Sequence, residues 1–142
     1  MIKLIKYKKK ILGLIIDHKQ NKKKVNFYTP NSFTQQVGYI SHNKGTYIKP
    51  HTHTKFLRKI YKTSEVLYVK KGKIRVDFYL SKSKYLFSKI INKDKIIVLN
   101  EGSHGFKIIE KCILIEIKQG PFNSKIDKQR FNSVNENQIK IR

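Results

Sequence analysis

Two histidines separated by a single residue are the first candidates for chemistry in this sequence. His51 and His53 lie in the stretch YIKPHTHTKF, directly after Pro50. Side chains of an extended strand alternate between its two faces, so both imidazoles are expected to point the same way. Because imidazole nitrogen is a common ligand of divalent metals, the pair predicts half of a metal site.

Glu65 and His104 are the residues predicted to complete this site. Glu65 begins the apolar stretch EVLYVKKG, and His104 lies in NEGSHGF just before another predicted strand. A carboxylate aimed into an apolar interior is costly unless a cation or a donor meets it. Three histidines and one carboxylate suit Fe(II), Mn(II), Ni(II) or Zn(II). The predicted ligands of this divalent transition metal are His51, His53, Glu65 and His104.

The elements that must position these residues are predicted to be short strands. Apolar segments rich in Ile, Val, Tyr and Phe recur from Val37 to Phe122, separated by Gly, Asn, Lys or Asp. In KIRVDFYL the apolar residues alternate with Arg75, Asp77 and Tyr79. Gly72, in VKKGK, is predicted to form a tight hairpin turn. No helical periodicity of useful length appears, so the expected fold class is all-β, a sandwich or a barrel.

The 142 residues are expected to form one domain with two distinct ends. Residues 1–34 carry the basic runs Lys8–Lys10 and Lys22–Lys24 and are expected to pack on the barrel or extend it. Residues 35–122 are expected to form the barrel itself. Residues 123–142 are polar and weakly patterned, which is typical of an irregular or partly mobile tail.

The net charge of +23 raises the question of a nucleic-acid partner. Lysine supplies 28 of the 32 basic residues and arginine only four, whereas base and phosphate recognition favours arginine. The lysines are spread along the chain, and Lys, Ile and Asn dominate its composition, so we interpret much of the charge as the coding bias of an AT-rich genome on a solvated surface. A functional role of the charge would favour an anionic ligand, such as a sugar nucleotide, or an acidic polymer. No apolar run approaches the roughly 18 residues of a membrane span. The single Cys112 excludes an internal disulfide framework and fits a reducing cytoplasm.

The order and spacing of the candidate ligands resemble the first motif of the cupin superfamily. That motif is a glycine, five residues, two histidines flanking one residue, a gap, a glutamate, six residues and a glycine. Here Gly45 and Gly72 stand at its two ends, around the histidine pair and Glu65, with eleven residues between the second histidine and the glutamate. That gap is longer than in the general cupin pattern.

The second cupin motif is similar to KDKIIVLNEGSHGF. This stretch keeps Asp94, Gly102 and His104, but Lys93 replaces the usual glycine and no proline is present. Residues 27–131 as a whole resemble a group of small single-domain cupins found with bacterial surface-polysaccharide and sugar-nucleotide genes. The resemblance implies a cupin double-stranded β-helix, or jelly-roll barrel, with few or no helices.

The resemblance implies a metal-binding cupin that acts on a sugar nucleotide or saccharide precursor in polysaccharide biosynthesis. The metal would polarise a carbonyl or hydroxyl group in isomerase- or epimerase-like chemistry, with Glu65 and His104 as the catalytic residues. A non-catalytic module that binds a saccharide or a protein partner is one alternative, and an iron-dependent dioxygenase is another. By the same resemblance, we expect a homodimer.

Further residues are candidates for supporting roles at such a site. Lysines, together with an arginine, would hold the phosphates of the ligand. A general base besides Glu65 would have to be Asp77 or Glu101, and both remaining histidines are expected at the surface. The residues in these two sets are Arg58, Arg75 and Arg130 for the phosphates, and His18 and His42 for the surface.

Overall fold

The computed structural model of the chain describes residues 1–20, 25–82 and 84–142, so the predicted basic run Lys22–Lys24 lies outside the described residues. Its regular structure is almost entirely β-strand, which confirms the all-β prediction. The strands are β1 (Ile2–Tyr7), β2 (Lys10–Ile16), β3 (Val25–Phe27), β4 (Gly38–Ile40), β5 (Glu65–Tyr79), β6 (Tyr85–Asn92), β7 (Ile96–Leu99) and β8 (Ser103–Lys118). Short 3₁₀ turns occur at His18–Gln20 and Glu136–Gln138. Within these ranges no helix is long and apolar enough to cross a membrane.

One antiparallel sheet contains six strands in the order β1-β2-β7-β5-β6, with β8 on the other side of β5. On one side of β5, β7 pairs with the first half of the strand and β6 with the second half. On the other side, β8 pairs with β5 from Glu65 opposite Lys118 to Tyr79 opposite Ser103. The strands β5 and β8 therefore form one long two-stranded ribbon. The remaining strands, β3 and β4, form a separate antiparallel pair.

The hairpin turn predicted at Gly72 is wrong, because β5 continues through this residue without a reversal. Gly72 instead occupies an irregular stretch in which the register between β5 and β8 shifts between Val69 and Ile74. Its φ is +81°, and a Cβ here would lie 2.3 Å from the carbonyl oxygen of Lys111. Extra residues of this kind bend a strand and increase its twist, so the glycine marks a bend in the ribbon.

The ribbon curls until its two ends meet. Phe78 lies opposite His104 in the register of β5 and β8, and Glu65 is the first residue of β5. Along a straight strand the positions of Glu65 and Phe78 would be roughly 40 Å apart. A hydrogen bond of 2.9 Å nevertheless joins Glu65 to His104. The antiparallel sheet therefore forms a half-barrel, with both of these side chains inside the curl.

Alternate residues of β5 belong to two different apolar clusters. Leu67 and Val69, on the same face as Glu65, belong to a buried cluster that fills the inside of the curl. Val66, on the opposite face, packs in a second cluster. The inner cluster consists of Ile5, Leu12, Leu67, Val69, Ile74, Val76, Phe78, Phe87, Ile91, Ile97 and Leu99. The second cluster consists of Leu14, Ile16, Tyr28, Phe33, Val66 and Val98.

The carboxyl-terminal tail packs on the outer face of β5 and β6. The guanidinium of Arg75, which is buried, donates two hydrogen bonds to Asp77 and two to Glu136 of the tail, at 2.7–3.1 Å. These contacts raise the pKa of Arg75 and lower that of Glu136 to about 2. Near the chain end, Ile141 forms a parallel bridge to Ser88 of β6. Polar side chains on the outer face of β5 are thus covered by the tail.

The segment 41–63, which we call the arm, connects β4 to β5. It contains no strand, so the prediction that strands recur from Val37 to Phe122 is wrong for this segment, and every residue in it is exposed. The chain becomes buried again at Ser64, whose backbone N–H donates to Gln119 Oε1 at 2.8 Å. The arm therefore joins the sheet where the first residue of β5 lies beside the last residue of β8.

Replacing Gly72 by alanine is expected to lower the free energy of unfolding by about 3 kcal/mol, because positive φ and a backbone clash act together. Gly45→Ala is the matched control, since Gly45 also has positive φ, +84°, but a Cβ added there would have no other atom within 4 Å. The control should cost about 1 kcal/mol. Urea unfolding of both variants measures the difference, and equal losses would contradict the bend assigned to Gly72.

Candidate active site

The candidate active site is built around the pair Glu65 and His104, which the curl of the ribbon brings together. Glu65 Oε2 and His104 Nε2 are 2.9 Å apart. The residue Glu65 is only 5% exposed, whereas the side chain of His104 is 26% exposed. The carboxylate is therefore buried, whereas the imidazole is partly accessible to solvent.

The hydrogen bond with His104 lowers the pKa of Glu65, although burial acts in the opposite direction. Lys128 adds to the lowering, with its Nζ 3.5 Å from Glu65 Oε1. Glu65 is consequently ionised at neutral pH and accepts the bond, so His104 Nε2 carries the proton. In a neutral imidazole with this tautomer, the other ring nitrogen, Nδ1, has a lone pair and can accept a proton.

A cavity of about 490 Å³ opens beside this pair. Its size is within the range of small-molecule sites. Its walls come from the starts of β5 and β8, the end of β5, and the tail. The lining residues are Thr63, Glu65, Tyr79, Ser103, His104, Gly105, Phe106, Asp127, Lys128, Gln129, Arg130, Phe131 and Ser133. Four stretches that are distant in the sequence therefore combine to form one cavity.

The three arginines considered for phosphate binding have different surroundings. Arg130 lines the cavity and forms no ion pair with any residue in the described ranges. Arg75 is saturated by two carboxylates on the outer face of the sheet. Arg58 lies in the exposed arm, with its guanidinium 3.6 Å from the ring centre of Phe56. Arg130 is therefore the arginine placed to bind an anion in the cavity.

The histidine pair lies apart from the glutamate–histidine pair. His51 and His53 are exposed in the arm, with ring centres 5.3 Å apart, and His51 Nδ1 is 3.1 Å from the carbonyl oxygen of Lys49. Among the residues that the structure describes, no three His, Cys, Asp or Glu side chains are grouped to hold a metal ion. In this arrangement the four predicted ligands do not form one set, and the metal site stays a prediction.

The further carboxylates considered as a general base are engaged elsewhere. Asp77 is buried and accepts from Arg75 and from Ser88. Glu101 pairs with Lys62 at 3.1 Å and does not line the cavity. The single cysteine, Cys112, is partly buried and packs against the inner cluster.

Two features of the site have no strong signal in the sequence. Lys128 is one of 28 lysines, and nothing in its local sequence distinguishes it from the others. Phe131 contacts Tyr79 edge to face at 5.1 Å between ring centres. The aromatic ring in a mostly polar tail is a weak hint that this segment packs against the sheet.

The lowered pKa of Glu65 makes a testable contribution to stability. Glu65→Gln is expected to reduce the free energy of unfolding at pH 7 by about 1–3 kcal/mol, the range for hydrogen bonds to charged groups. Because the folded pKa lies below the ordinary value of 4.5, this contribution is complete above pH 4.5. It is lost as the pH falls through the folded pKa.

Urea unfolding of both proteins between pH 3 and pH 7 measures this dependence. The difference in unfolding free energy should shrink below pH 4.5. Glu116→Gln is the control, since this carboxylate is exposed and lies 3.9 Å from Lys128. A Glu65→Gln difference that stays constant over the whole pH range would contradict an ionised, hydrogen-bonded carboxylate.

Comparison with known proteins identifies no family for this chain. A scan against protein-family models, a search of curated proteins and a search of solved structures each found no match. The cupin family stays a prediction from the sequence. The function of the chain must therefore be inferred from its own residues and contacts.

Proposed function

We propose that the chain is an isomerase- or epimerase-like enzyme that moves a proton on a sugar nucleotide or a related saccharide precursor. His104 is the proton acceptor, and Glu65 is the residue that positions it. The observation that carries this proposal is the 2.9 Å hydrogen bond between the enclosed carboxylate and the imidazole at the edge of the cavity. Carboxylate-oriented imidazole is a common arrangement for general base catalysis.

The reaction begins at a carbon next to a carbonyl group. His104 Nδ1 takes the proton from this carbon, and the electrons of the broken C–H bond form a C=C bond while the carbonyl becomes an enolate. Ionised Glu65 stabilises the imidazolium that forms, and Lys128, whose Nζ is 3.5 Å from Glu65 Oε1, is the cation that would stabilise the enolate oxygen. Return of the proton to the opposite face of the same carbon gives an epimer. If that carbon carries a hydroxyl group, transfer of the hydroxyl proton to the enolate oxygen and return of the carbon-bound proton to the former carbonyl carbon move the carbonyl by one position and give an isomer.

The charge of the cavity favours a ligand with phosphate groups. Arg130 and Lys128 both line it, and guanidinium binds phosphate oxygens through two parallel hydrogen bonds. Within the described lining the acidic residues are Glu65 and Asp127. Glu65 is bonded to His104, and Asp127 has Lys118 at 3.8 Å. An anionic ligand therefore meets uncompensated positive charge at Arg130.

The cupin interpretation is part of this proposal, as are a cytoplasmic location and a homodimer. The curled antiparallel sheet and the sequence order of the histidine pair, Glu65 and His104 support it. The metal of cupins would supply Lewis acid chemistry at a carbonyl oxygen. Because its four predicted ligands form two separate pairs here, no step of the proposed reaction passes through a metal.

A non-catalytic saccharide-binding module is the second candidate. Reprotonation on the opposite face usually requires a second acid. Besides Glu65, the carboxyl group in the described lining is Asp127, and it lies 3.8 Å from Lys118. This observation favours a site that binds a phosphorylated saccharide without turning it over.

Proton exchange with solvent distinguishes the two candidates. The purified protein is incubated in D₂O with a 4-keto sugar nucleotide, and loss of the proton next to the carbonyl is followed by NMR. Enzymatic exchange that His104→Gln reduces by about 100-fold or more is the expected result, because a general base contributes factors of this size. Binding of the same ligand without exchange would favour the binding module.

Ligand affinity tests the phosphate role of Arg130 separately. Calorimetric titration with uridine diphosphate is expected to show about tenfold weaker binding to Arg130→Gln, a loss of about 1.4 kcal/mol. Arg58→Gln is the matched control, since it removes the same charge from the exposed arm. Equal effects of the two substitutions, or no binding to the unaltered protein, would contradict a phosphate site in the cavity.

The metal site predicted from the sequence has its own measurement. Protein purified without a nickel column is assayed for Fe, Mn, Ni and Zn by mass spectrometry. If the four residues share an ion, His51→Ala and Glu65→Ala should both lose it, while the control His42→Ala, also in the exposed arm, should retain it. Metal content that is unaffected by the first two substitutions would contradict the predicted ligand set.

A further inference from the structure

The arm, residues 41–63, carries a positive charge that is separated from the acidic residues of the chain. It contains six lysine or arginine residues and no aspartate or glutamate. All nine acidic residues of the chain lie outside residues 18–64. The enrichment in lysine along the whole chain does not explain this separation, because acidic residues are missing from the segment rather than outnumbered in it.

The acidic side chains of the sheet and the tail already have cationic partners. Each of the nine has a lysine or arginine nitrogen within 4.0 Å. Of the cations of the arm, Lys62 takes part in these pairs, with Glu101 at 3.1 Å. The others have no acidic partner in the part of the chain that the structure describes. These five cations are Lys44, Lys49, Lys55, Arg58 and Lys59, and their charge is available to an anion from outside the chain.

Exposed aromatic rings are interleaved with these cations. Tyr47, Phe56 and Tyr61 are 76%, 62% and 90% exposed. The guanidinium carbon of Arg58 lies 3.6 Å from the ring centre of Phe56, so one cation of the arm lies over one of its rings. Large apolar side chains that are grouped in solvent indicate an interaction surface. The arm therefore offers a partner both positive charge and flat rings.

This combination fits single-stranded nucleic acid. The backbone of a single strand supplies a regular row of negative charges, and its unpaired bases stack on aromatic side chains and on arginine. In a duplex the bases stack on one another, so the rings of the arm would have no base face to contact. An acidic peptide would pair with the cations but would offer no regular row of flat faces.

The cations of the arm indicate binding that does not depend on the base sequence. Five of the six are lysine. Arginine recognises bases and phosphates through its fork of two parallel donors, whereas lysine acts as a point charge. Point charges are sufficient for contacts to a phosphate backbone, which carry no sequence information. The scarcity of arginine therefore argues against base recognition and is compatible with contacts to the backbone.

We propose that the arm binds single-stranded DNA or RNA without sequence preference. Its lysines contact the phosphates, and Phe56 and Tyr61 stack on bases. This interaction goes beyond the saccharide chemistry of the cavity and does not depend on it, since Thr63 is the one arm residue in the described lining of the cavity. A mononucleotide makes few of these contacts at a time, so its binding to the arm is weak.

The salt dependence of binding counts the phosphate contacts. Labelled oligo-dT and oligo-U of about 20 nucleotides are titrated with the protein, and binding is followed by fluorescence anisotropy. With five contacts, a plot of log affinity against log salt concentration should have a slope of about −3.5. The triple variant Lys55→Gln, Arg58→Gln and Lys59→Gln should reduce this slope by about 2, because each contact to a single strand contributes about 0.7.

A second triple variant removes the same charge outside the arm. Lys6→Gln, Lys8→Gln and Lys9→Gln change exposed lysines at the hairpin between β1 and β2, and this variant should keep the slope of the unaltered protein. Arg130→Gln should also leave the binding of both oligonucleotides unchanged, because Arg130 lines the cavity. These controls separate a local site on the arm from the overall charge of the chain and from the cavity.

Stacking is tested with the charge of the arm unchanged. Phe56→Ala is expected to weaken oligonucleotide binding by about tenfold, whereas Phe56→Tyr keeps a ring and should bind as the unaltered protein does. A duplex of the same length and polyglutamate should both compete about tenfold more weakly than the single strands. Equal competition by oligo-dT and oligo-U is expected, and a preference for either would assign the site to DNA or to RNA.

Four results would overturn the proposal. They are no binding of either oligonucleotide at about 0.1 M salt, equal slopes for the two triple variants, normal binding by Phe56→Ala, and competition by the duplex or polyglutamate as strong as that by the single strands. Circular dichroism of each variant checks that the fold is retained.

Discussion

The hydrogen bond between Glu65 and His104 joins the start of a long ribbon to its far end, and most of the architecture is needed to make it. Removing a carboxylate from water costs several kcal/mol unless donors and cations replace the lost hydration. Glu65 receives a donor from His104 and a cation from Lys128. These groups reach it because the ribbon bends at Gly72 and because the tail returns across the opening. The arrangement that compensates the buried charge of Glu65 also forms a cavity whose wall contains His104, the proposed proton acceptor.

Buried charges on the outer face of the ribbon must also be neutralised, and here a second set of residues does this. Arg75 and Asp77 are buried on β5, and neither could remain there unpaired without a large cost. They neutralise each other, and Glu136 of the tail supplies the second carboxylate that the guanidinium fork can accept. The arginine is consequently a structural group. This leaves Arg130 as the arginine that faces the cavity.

Local patterns in the sequence predict the strands better than they predict how the sheet bends. The alternation in KIRVDFYL identifies a strand, and the division of β5 between two apolar clusters follows from the same alternation. Gly72 shows the limit, because a glycine with positive φ is equally compatible with a turn and with a bulge inside a continuous strand. The choice depends on which strand passes nearby, and that is Lys111 of β8, nearly forty residues away in the sequence.

The sequence likewise predicts some of the site residues but not the contacts between them. Glu65 and His104 stand out in the sequence because a carboxylate before an apolar strand and a histidine before another strand are unusual. Their direct contact depends on the curl of the whole ribbon, which no local pattern specifies. The role of Lys128 depends on the path of an irregular tail. The exposed position of His51 and His53 has no local explanation, since an extended HxH segment can equally face a site or the solvent.

The polar attachment of the tail gives the cavity a cover with its own response to ionic strength. Glu136 and Lys107, which are largely exposed, form one part of this attachment, and dissolved ions screen such pairs more than they affect apolar packing. The side chains inside the curl are held by burial instead. Added salt should therefore weaken the attachment of the tail that lines the cavity, while the apolar core of the sheet keeps its stability. Ligand access to the cavity and the stability of the fold would then respond to salt independently.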